Sequence, residues 1–376
     1  MRARGPSCAA FLTVLLGLSF AADGRADGPA LRRGVSLSNW FQRNPDERNI
    51  ERSDLDLVRA AGFDHVRIPF DPVLFGWTWR VCSPLHDVDR LRSGIQNAIQ
   101  AGLDVVVDLH PDNATLQAIE TEPGAEDALV RLWGMVSDQM AGLGPQHVVF
   151  ELMNEPQYYG HADRWARLQH RLLAAVREHA PRNLIVLTGA QGGSLEGLAS
   201  LEPELDSNVV YSFHFYLPYV FTHQGASWMA SDPNTAAAFV HGLSYPARRL
   251  SVRQPLIDVP RKDAALREVA GYRRDDWSGA RIARMLRPIA QWAAAHHVRV
   301  NCGEFGVFRH DAEPASRYAW IGDVRTAAES YGMGWTVWEY ANGFGIAIGP
   351  DTPGLDGHRI EPEAREALGL VTAGHR

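Results

Sequence analysis

The segment from His147 to Pro156 reads HVVFELMNEP and indicates how the rest of the chain folds. Its first seven residues, His147–Met153, form a short apolar run rich in β-branched and aromatic side chains, which is typical of a buried parallel strand. Pro156 ends the run, because proline cannot continue a ladder of strand hydrogen bonds. Asn154 and Glu155 therefore stand at the carboxyl end of a predicted strand.

Similar runs recur along the chain and alternate with longer amphipathic stretches. The other predicted strands are Arg33–Ser38, Phe63–Pro69, Leu103–Leu109, Leu184–Thr188, Val209–Phe215, Val298–Gly303 and Gly334–Trp338. The clearest predicted helices are Val88–Ala101, Ala125–Ala141, Ala162–His179, Ala280–His297 and Ala315–Tyr331, with Asp87 as an N-cap and Gly102 and Gly332 as C-terminal glycines. This alternation predicts an α/β protein, and eight units fit one closed (β/α)8 TIM barrel.

One connection does not fit the regular pattern. The stretch between Phe215 and Ala280 is too long for an ordinary loop and contains Trp228, Trp277 and several prolines. We interpret residues 216–279 as an insertion after strand six that lies over the barrel mouth. A small separate domain is the alternative.

The first residues have the layout of a signal peptide. Arg2 and Arg4 precede an apolar run from Cys8 to Phe20, and small residues follow it. We expect a signal peptide over residues 1–21, with cleavage as late as residue 26, and one barrel domain over 27–376. The protein is then secreted or periplasmic. An uncleaved N-terminal anchor is the alternative, but the apolar run is shorter than a bilayer needs, so no lasting membrane anchor is expected.

Composition and charge limit the classes of partner. With 45% hydrophobic and 22% charged residues, the chain is that of a core-forming protein rather than a disordered one. Its formal net charge is −7, and loss of Arg2 and Arg4 with a signal peptide would make the mature charge −9. Nucleic acids and anionic membranes are therefore poor candidate partners, whereas a neutral polymer is allowed. Cys82 and Cys302 could pair in an oxidising compartment, but they do not have a metal-ligand spacing.

Two carboxylates end strands that would meet at one mouth. Glu155 follows strand four, and Glu304 ends strand seven between Gly303 and Gly306, which we expect to let a ligand approach. Cleavage of a glycosidic bond needs a proton donor and a second carboxylate for the oxocarbenium-like centre. Each motif alone has a structural explanation, a helix-start turn for Asn-Glu-Pro and a bulge for Gly-Glu-Phe-Gly. Their joint placement favours a glycosidase site.

Polar and aromatic residues end several other strands. A buried arginine such as Arg67 needs an acidic partner, and Glu304 is the candidate. His110, His214, Tyr216 and Trp338 follow strands three, six and eight. Taken singly, each of these could be a core residue with satisfied contacts.

The combination resembles glycoside hydrolase family 5, the cellulase family of (β/α)8 enzymes with catalytic glutamates on strands four and seven. The residues that carry the resemblance are Arg67, His110, Asn154-Glu155-Pro156, His214-Phe215-Tyr216, Gly303-Glu304-Phe305-Gly306 and Trp338. It extends from about Gly34 to Trp338. One departure is Pro111-Asp112-Asn113 after His110, which indicates a different substrate loop there.

The resemblance implies a role for each of these side chains. It implies that Glu155 is the general acid/base, protonated near neutral pH, and that Glu304 is the nucleophile. It implies that Asn154 donates to the sugar 2-hydroxyl and that Arg67 and Tyr216 keep Glu304 ionised. His110 and His214 would bind sugar hydroxyls or orient the acid/base. Trp338 would be a stacking platform for a sugar ring. It implies no cofactor and no metal.

Further aromatic and amide residues are candidates for outer subsites. By a looser resemblance of the first strand, Asn39 or Trp40 could line a distal subsite. The predicted mouth loops also carry Trp77, Trp79, Tyr219 and Trp228, as stacking platforms or as cover for the barrel rim.

We therefore expect a secreted, monomeric, retaining endo-β-1,4-glucanase that acts on β-glucan. The same family also contains β-mannanases, β-1,3-glucanases and exopolysaccharide-trimming hydrolases. A non-catalytic carbohydrate-binding protein would normally have lost one glutamate, and both are present. A metal-dependent hydrolase would need clustered ligands, for which His110 and Asp112 are a poor set.

Overall fold

The computed structural model describes residues 28–42, 50–80, 85–251, 255–349 and 357–370. Eight parallel strands form a closed barrel, which confirms the predicted α/β class and TIM-barrel architecture. The strands are β1 (Arg33–Ser36), β2 (His65–Phe70), β3 (Asp104–Leu109), β4 (Val148–Glu151), β5 (Leu184–Thr188), β6 (Val209–Phe215), β7 (Val300–Phe305) and β8 (Gly334–Val337). The barrel closes where Val35 of β1 pairs with Val337 of β8.

Helices surround the barrel between these strands. They are α1 (Arg52–Ala61), α2 (Val88–Gln100), α3 (Asn113–Thr121), α4 (Ala125–Met140), α5 (Ala162–His179), α6 (Ala190–Gly193), α7 (Leu195–Ala199), α8 (Tyr219–Thr222), α9 (Lys262–Arg274), α10 (Gly279–His296), α11 (Pro314–Ser330) and α12 (Pro362–Ala367). The five helices expected from the sequence are present to within one residue at each end. Gly102 and Gly332 follow α2 and α11 with φ of 83° and 71°, as expected for C-terminal glycines. Asp87 occupies the N-cap position of α2 as expected, but it adopts φ 53° and its side chain makes no capping hydrogen bond.

Buried tryptophans connect the helices to the carboxyl ends of the strands. Trp133 of α4 is fully buried, and its Nε1 donates to the carbonyl of Leu152 at 2.8 Å. Trp165 of α5 donates in the same way to the carbonyl of Thr188 at 2.6 Å. Both indole rings bury a large apolar area and also satisfy a backbone acceptor. They therefore hold the backbone just beyond β4 and β5, where the candidate site begins.

Five strands end one or two residues away from the predicted positions: β1 at Ser36, β2 at Phe70, β8 at Val337, and the two strands that carry the site, β4 and β7. β4 stops at Glu151 rather than Met153, and the Asn154 N–H then donates to the carbonyl of Leu109, the last residue of β3, at 2.8 Å. β7 continues to Phe305, and Glu304 pairs with His214 next to a register shift in β6. Glu304 thus lies within a strand, whereas Glu155 lies in a turn.

The insertion after β6 packs on the barrel. It contains α8, α9 and a two-stranded antiparallel ribbon of Val240–His241 with Leu256–Ile257. Its buried residues Phe221, Leu243 and Tyr245 belong to the same hydrophobic core as the barrel strands. This shared core favours an insertion over a separate domain.

His241 connects the ribbon to the loop after β7 through contacts with Asp311 and Asp258, which we call the histidine clip. His241 Nδ1 lies 2.9 Å from Asp311, and its Nε2 lies 3.0 Å from Asp258 on the paired strand. Both ring nitrogens can donate at once only when the imidazole is protonated. Burial lowers the pKa of His241, but the two carboxylates outweigh it and raise the pKa above its ordinary value.

Several sequence predictions concern residues outside the described ranges. The expected signal peptide, residues 1–21, lies within the undescribed residues 1–27, and Cys82 lies in the gap at 81–84. Cys302 is a buried free thiol whose pKa is raised, mainly by burial. Within the described ranges, no helix has both the length and the apolar character that a membrane span requires.

Candidate active site

Glu155, His214 and Glu304 converge at the carboxyl ends of the barrel strands. One carboxylate oxygen from each glutamate and one ring nitrogen of His214 all lie within 4.8 Å of one another. Glu304 is 5% exposed and His214 is 7% exposed, whereas Glu155 is only half-buried. The two acids that the sequence singled out therefore share one site, and the less buried acid lies toward the mouth.

Two strong donors surround Glu304. Arg67 Nη1 donates to Oε2 at 2.8 Å, and the Tyr216 hydroxyl donates to Oε1 at 2.7 Å. Burial and then the negative charge of Glu304 raise the pKa of Tyr216 well above its usual value, so the phenol stays a donor. A charged donor and a neutral donor on opposite oxygens favour the carboxylate form of Glu304. These are the two contacts expected from the sequence.

Glu155 is paired with a histidine. His214 Nδ1 lies 2.9 Å from Glu155 Oε1 and 3.8 Å from Glu304 Oε1. Glu155 has φ 41°, in the left-handed region, which costs a residue with a side chain about 1 to 3 kcal/mol and is concentrated at functional sites. The turn thus holds its side chain against His214 at an energetic cost.

The pKa values of Glu155 and His214 shift in opposite directions. Burial raises the pKa of Glu155, but the hydrogen bond and charge of His214 outweigh burial and leave the pKa lowered. Burial lowers the pKa of His214, but the negative charges of Glu304 and Glu155 outweigh it and leave the pKa raised. These directions favour the proton on His214 over Glu155, because Glu304 attracts the imidazolium cation. The lowered pKa of Glu155 runs against the expectation that this residue stays protonated near neutral pH.

Arg67 contacts two further acids that the sequence analysis missed. Its Nε and Nη2 donate to both oxygens of Glu151, and Nη2 also lies 2.9 Å from Asp108 Oδ2. Asp108 and Glu151 are 0% and 2% exposed. Burial lowers the pKa of Arg67, but the three carboxylates outweigh it and raise the pKa well above its usual value. The signal in the sequence was a single acid within each apolar run, since a buried acid needs a cationic partner.

Asn154 has its amide oriented by the same arginine. Arg67 Nη2 donates to Asn154 Oδ1 at 2.8 Å. With its oxygen occupied, the side chain keeps Nδ2 as the group that can donate to another molecule. This orientation supports the expected role of Asn154 as a donor.

His110 and Trp338 lie together at the mouth. His110 Nδ1 lies 2.8 Å from Asp108 Oδ2, and its ring stacks on Trp338 with centroids 5.6 Å apart and planes 17° apart. Both side chains remain partly exposed. The bond to Asp108 fixes the ring orientation of His110, so its Nε2 is the nitrogen left for a ligand.

The candidates for outer subsites differ in exposure. Trp40 is 5% exposed and packs on Phe41 with centroids 4.7 Å apart, so we propose no stacking role for it. Trp77 is also 5% exposed, and Trp79 is partly buried. Asn39 is partly exposed, and its backbone N–H donates to the Gln42 side chain at 2.9 Å.

Two aromatic residues of the insertion remain available at the mouth. Trp228 is 56% exposed and Tyr219 is 44% exposed. Both rings contact His223, which in turn contacts the ring of Tyr216. They extend an aromatic surface outward from the group that donates to Glu304.

The glycines beside Glu304 have a packing role. A Cβ added to Gly303 would lie 2.1 Å from Ser212 Oγ, and one added to Gly306 would lie 2.1 Å from the Trp338 carbonyl oxygen. Both positions therefore require glycine because protein atoms approach closely. The expectation that these glycines make room for a ligand is wrong.

The electrostatics of the site do not favour a divalent cation. The three groups around His214 have a spacing that could hold a metal. However, both oxygens of Glu304 already accept hydrogen bonds, and the Arg67 cation lies 2.8 Å away. Asp112, the other acid considered as a ligand, accepts from Thr115 N and caps α3. These residues do not form a good metal site.

A family model and several known proteins match most of this chain. Residues 25–343 match the family model for cellulase, glycosyl hydrolase family 5. The chain is 26% identical over 328 residues to endoglucanase C of Acetivibrio thermocellus, covering 83% of this chain and 91% of that protein. Thermotoga maritima Cel5A in complex with cellobiose superposes with a TM-score of 0.72 at 22% identity, covering 90% of this chain and 97% of that one. Cellulose synthase subunit Z of Clostridioides difficile has a TM-score of 0.70 at 22% identity, covering 90% and 99%. The two structures show a shared fold.

Proposed function

The chain belongs to glycosyl hydrolase family 5, the cellulase family, and from this membership we propose that it is a retaining endo-β-1,4-glucanase. The family makes it a glycoside hydrolase with a polysaccharide substrate. We propose that Glu155 is the acid/base and Glu304 the nucleophile. The observation that carries the proposal is the approach of their carboxylate oxygens to within 4.8 Å.

This separation supports double displacement. Retaining glycosidases hold their two carboxyl groups about 5 to 5.5 Å apart, whereas inverting enzymes leave roughly 6.5 to 9.5 Å for an attacking water. A closest approach within 4.8 Å leaves no room for a water between Glu155 and Glu304. Glu304 is therefore suited to attack the sugar directly.

In the first step, Glu304 Oε attacks the anomeric carbon while the bond to the leaving oxygen breaks. His214 first passes its proton to Glu155 across 2.9 Å, and Glu155 gives that proton to the leaving oxygen and becomes a carboxylate. Arg67 and Tyr216 keep Glu304 ionised before the attack, and Asn154 Nδ2 is placed to donate to the 2-hydroxyl. The product is a glycosyl ester on Glu304.

In the second step, Glu155 accepts a proton from a water that attacks the ester. The charge of Glu304 is now absent, and that charge is the main favourable reason for the raised pKa of His214. The pair gave its proton to the leaving oxygen in the first step, so Glu155 is a carboxylate and can act as the base. Cleavage of the ester restores the Glu304 carboxylate and releases a β-configured sugar.

The choice of a β-1,4-glucan rests on the relatives. The curated relatives that match most of this chain are named endoglucanases, including endoglucanase 3 of Fibrobacter succinogenes at 25% identity over 84% of this chain. The stacked pair of Trp338 and His110 supplies an aromatic face and a hydrogen-bonding nitrogen for a glucosyl ring. We also propose that residues 1–21 are a signal peptide that exports the barrel domain.

A panel of polysaccharides tests this function. We expect reducing ends from carboxymethyl cellulose and mixed-linkage β-glucan, with viscosity falling early as internal bonds break. Proton NMR of the first product should show the β-anomer. Activity only on β-mannan or β-1,3-glucan would overturn the substrate, and an α-configured first product would overturn the mechanism.

A further inference from the structure

Arg67 donates hydrogen bonds to other side chains besides the proposed nucleophile Glu304. Its Nε and Nη2 donate to the two oxygens of Glu151 at 2.8 and 3.0 Å. Its Nη2 is also shared with Asp108 and Asn154, and only Nη1 is directed at Glu304. One buried cation therefore faces three carboxylates, each at most 5% exposed.

Glu151 fixes the plane of the guanidinium. A bidentate bond along one edge of an arginine is directional as well as strong. Glu151 is the last residue of β4 and lies beside Asp108 in β3, so both acids are held by the barrel ladder rather than by loops. With its Nε and Nη2 edge held in this way, Arg67 can present Nη1 in one direction only, toward Glu304.

Glu151 also competes for the charge of Arg67. Burial, and then the neighbouring Asp108, raise the pKa of Glu151, while Arg67 opposes both. Removal of one carboxylate from this cluster would leave Glu304 with a larger share of the attraction to the cation. The other titratable groups that face the cluster are His110 beyond β3, Glu155 beyond β4, His214 on β6 and Tyr216 just beyond it.

We propose that Glu151 is a positioning residue for the glycosidase reaction, which orients Arg67 toward Glu304 and sets how firmly Glu304 is held as an anion. This inference rests on the proposed role of Glu304 as nucleophile. It concerns a buried acid whose two carboxylate oxygens both accept hydrogen bonds from Arg67.

Two substitutions at Glu151 separate its orientation from its charge. Glu151→Ala removes the edge that holds Arg67, and we expect kcat to fall on the order of 100-fold with KM changed less than about 3-fold. Glu151→Gln keeps one acceptor oxygen but no charge, so kcat should stay within about 10-fold of wild type. Its acid limb of kcat/KM should move to lower pH, because loss of a nearby negative charge leaves a more positive potential at the nucleophile. The alkaline limb, which belongs to Glu155 and His214, should move less, because Glu151 interacts more weakly with His214 than with Arg67.

Asp54→Asn is the matched control. Asp54 is also 5% exposed, but it bonds to Tyr340 and His358 away from Arg67, so neither limb should move. Melting temperatures of all variants give the folded fraction. If Glu151→Ala does not fold, the pH profile of Glu151→Gln by itself tests the positioning role. An unmoved acid limb in Glu151→Gln, or losses of activity that only follow the folded fraction, would overturn the positioning role. If the wild-type protein has no glycosidase activity, the proposed function itself is rejected. If the wild-type protein is active and Glu304→Gln abolishes that activity, but the pH profile of Glu151→Gln is unchanged, only the positioning role is rejected.

Discussion

His214 Nδ1 lies 2.9 Å from Glu155 Oε1, within hydrogen-bonding distance. The pKa of His214 is raised and that of Glu155 is lowered, so the two groups titrate as a pair. The pH dependence of the enzyme should therefore belong to this pair rather than to Glu155 alone.

His214→Asn should move the alkaline limb of kcat/KM to lower pH. In wild type the pair keeps its proton up to the raised pKa of His214, above the ordinary value of 6.5. Without the imidazole, Glu155 must hold the proton itself. A carboxyl group loses its proton at lower pH than the His214 imidazolium does, even when burial raises the pKa of the carboxyl. Profiles of kcat/KM from pH 4 to 9 measure the shift. An alkaline limb at the wild-type position in this variant would show that another group supplies the proton.

Glu304→Ala and Glu155→Ala should each lower kcat by several orders of magnitude while the fold stays intact. The first loses the nucleophile, and the second loses both the proton donor and the base. Azide should partly restore Glu155→Ala, because a small anion can attack the glycosyl ester where water is no longer activated. Glu196→Ala, an exposed acid on α7, serves as control. Wild-type turnover in either site variant contradicts the mechanism.

Trp338→Ala should lower kcat/KM by a factor equivalent to roughly 2 to 4 kcal/mol, with little loss of thermal stability. The ring is partly exposed and stacks on His110, which suits a sugar platform. Trp320→Ala is the matched comparison, because Trp320 is fully buried and its loss should cost about 3 to 5 kcal/mol of stability. A large fall in melting temperature with normal specific activity for Trp338→Ala would mean that Trp338 is a core residue.

His241→Gln should lower the melting temperature more at pH 5.5 than at pH 8.5. The pKa of His241 is raised in the folded state, so its contribution to stability is complete below its unfolded pKa near 6.5 and is lost as pH rises through the folded value. Because the clip is partly exposed, we expect no more than about 1 kcal/mol. Calorimetry at both pH values tests this, and equal losses at the two would exclude a charged clip.

The barrel and its two acids could be predicted from the sequence because they depend on local patterns. Apolar runs such as 148–151 and the polar residues after them identify strand ends, and the carboxyl ends of parallel strands must meet at one mouth. The partners of a buried charge depend instead on which strands are neighbours. Asp108 and Glu151 were missed for this reason, since only the closed barrel brings them beside Arg67.

Other errors have a similar physical cause. Position 303 requires glycine because Ser212 lies close to it across the β6–β7 pair. This contact joins distant parts of the sequence. Burial of Trp40 depends on its packing against Phe41 and α2. The location of the shared proton depends on the charge of Glu304 beside His214, which no local pattern contains.

The two donors around Glu304 have a consequence for bond synthesis. Arg67 Nη1–H and the Tyr216 hydroxyl approach the nucleophile from its two oxygens, at 2.8 and 2.7 Å. If Glu304 is shortened to glycine, the same two donors become a receptor for a small anion at the α face of the sugar. An α-glucosyl fluoride placed there would lose its fluoride to these donors while Glu155 activates an acceptor sugar hydroxyl. The variant would then lengthen β-linked chains, because without the carboxylate it cannot form the ester through which hydrolysis proceeds.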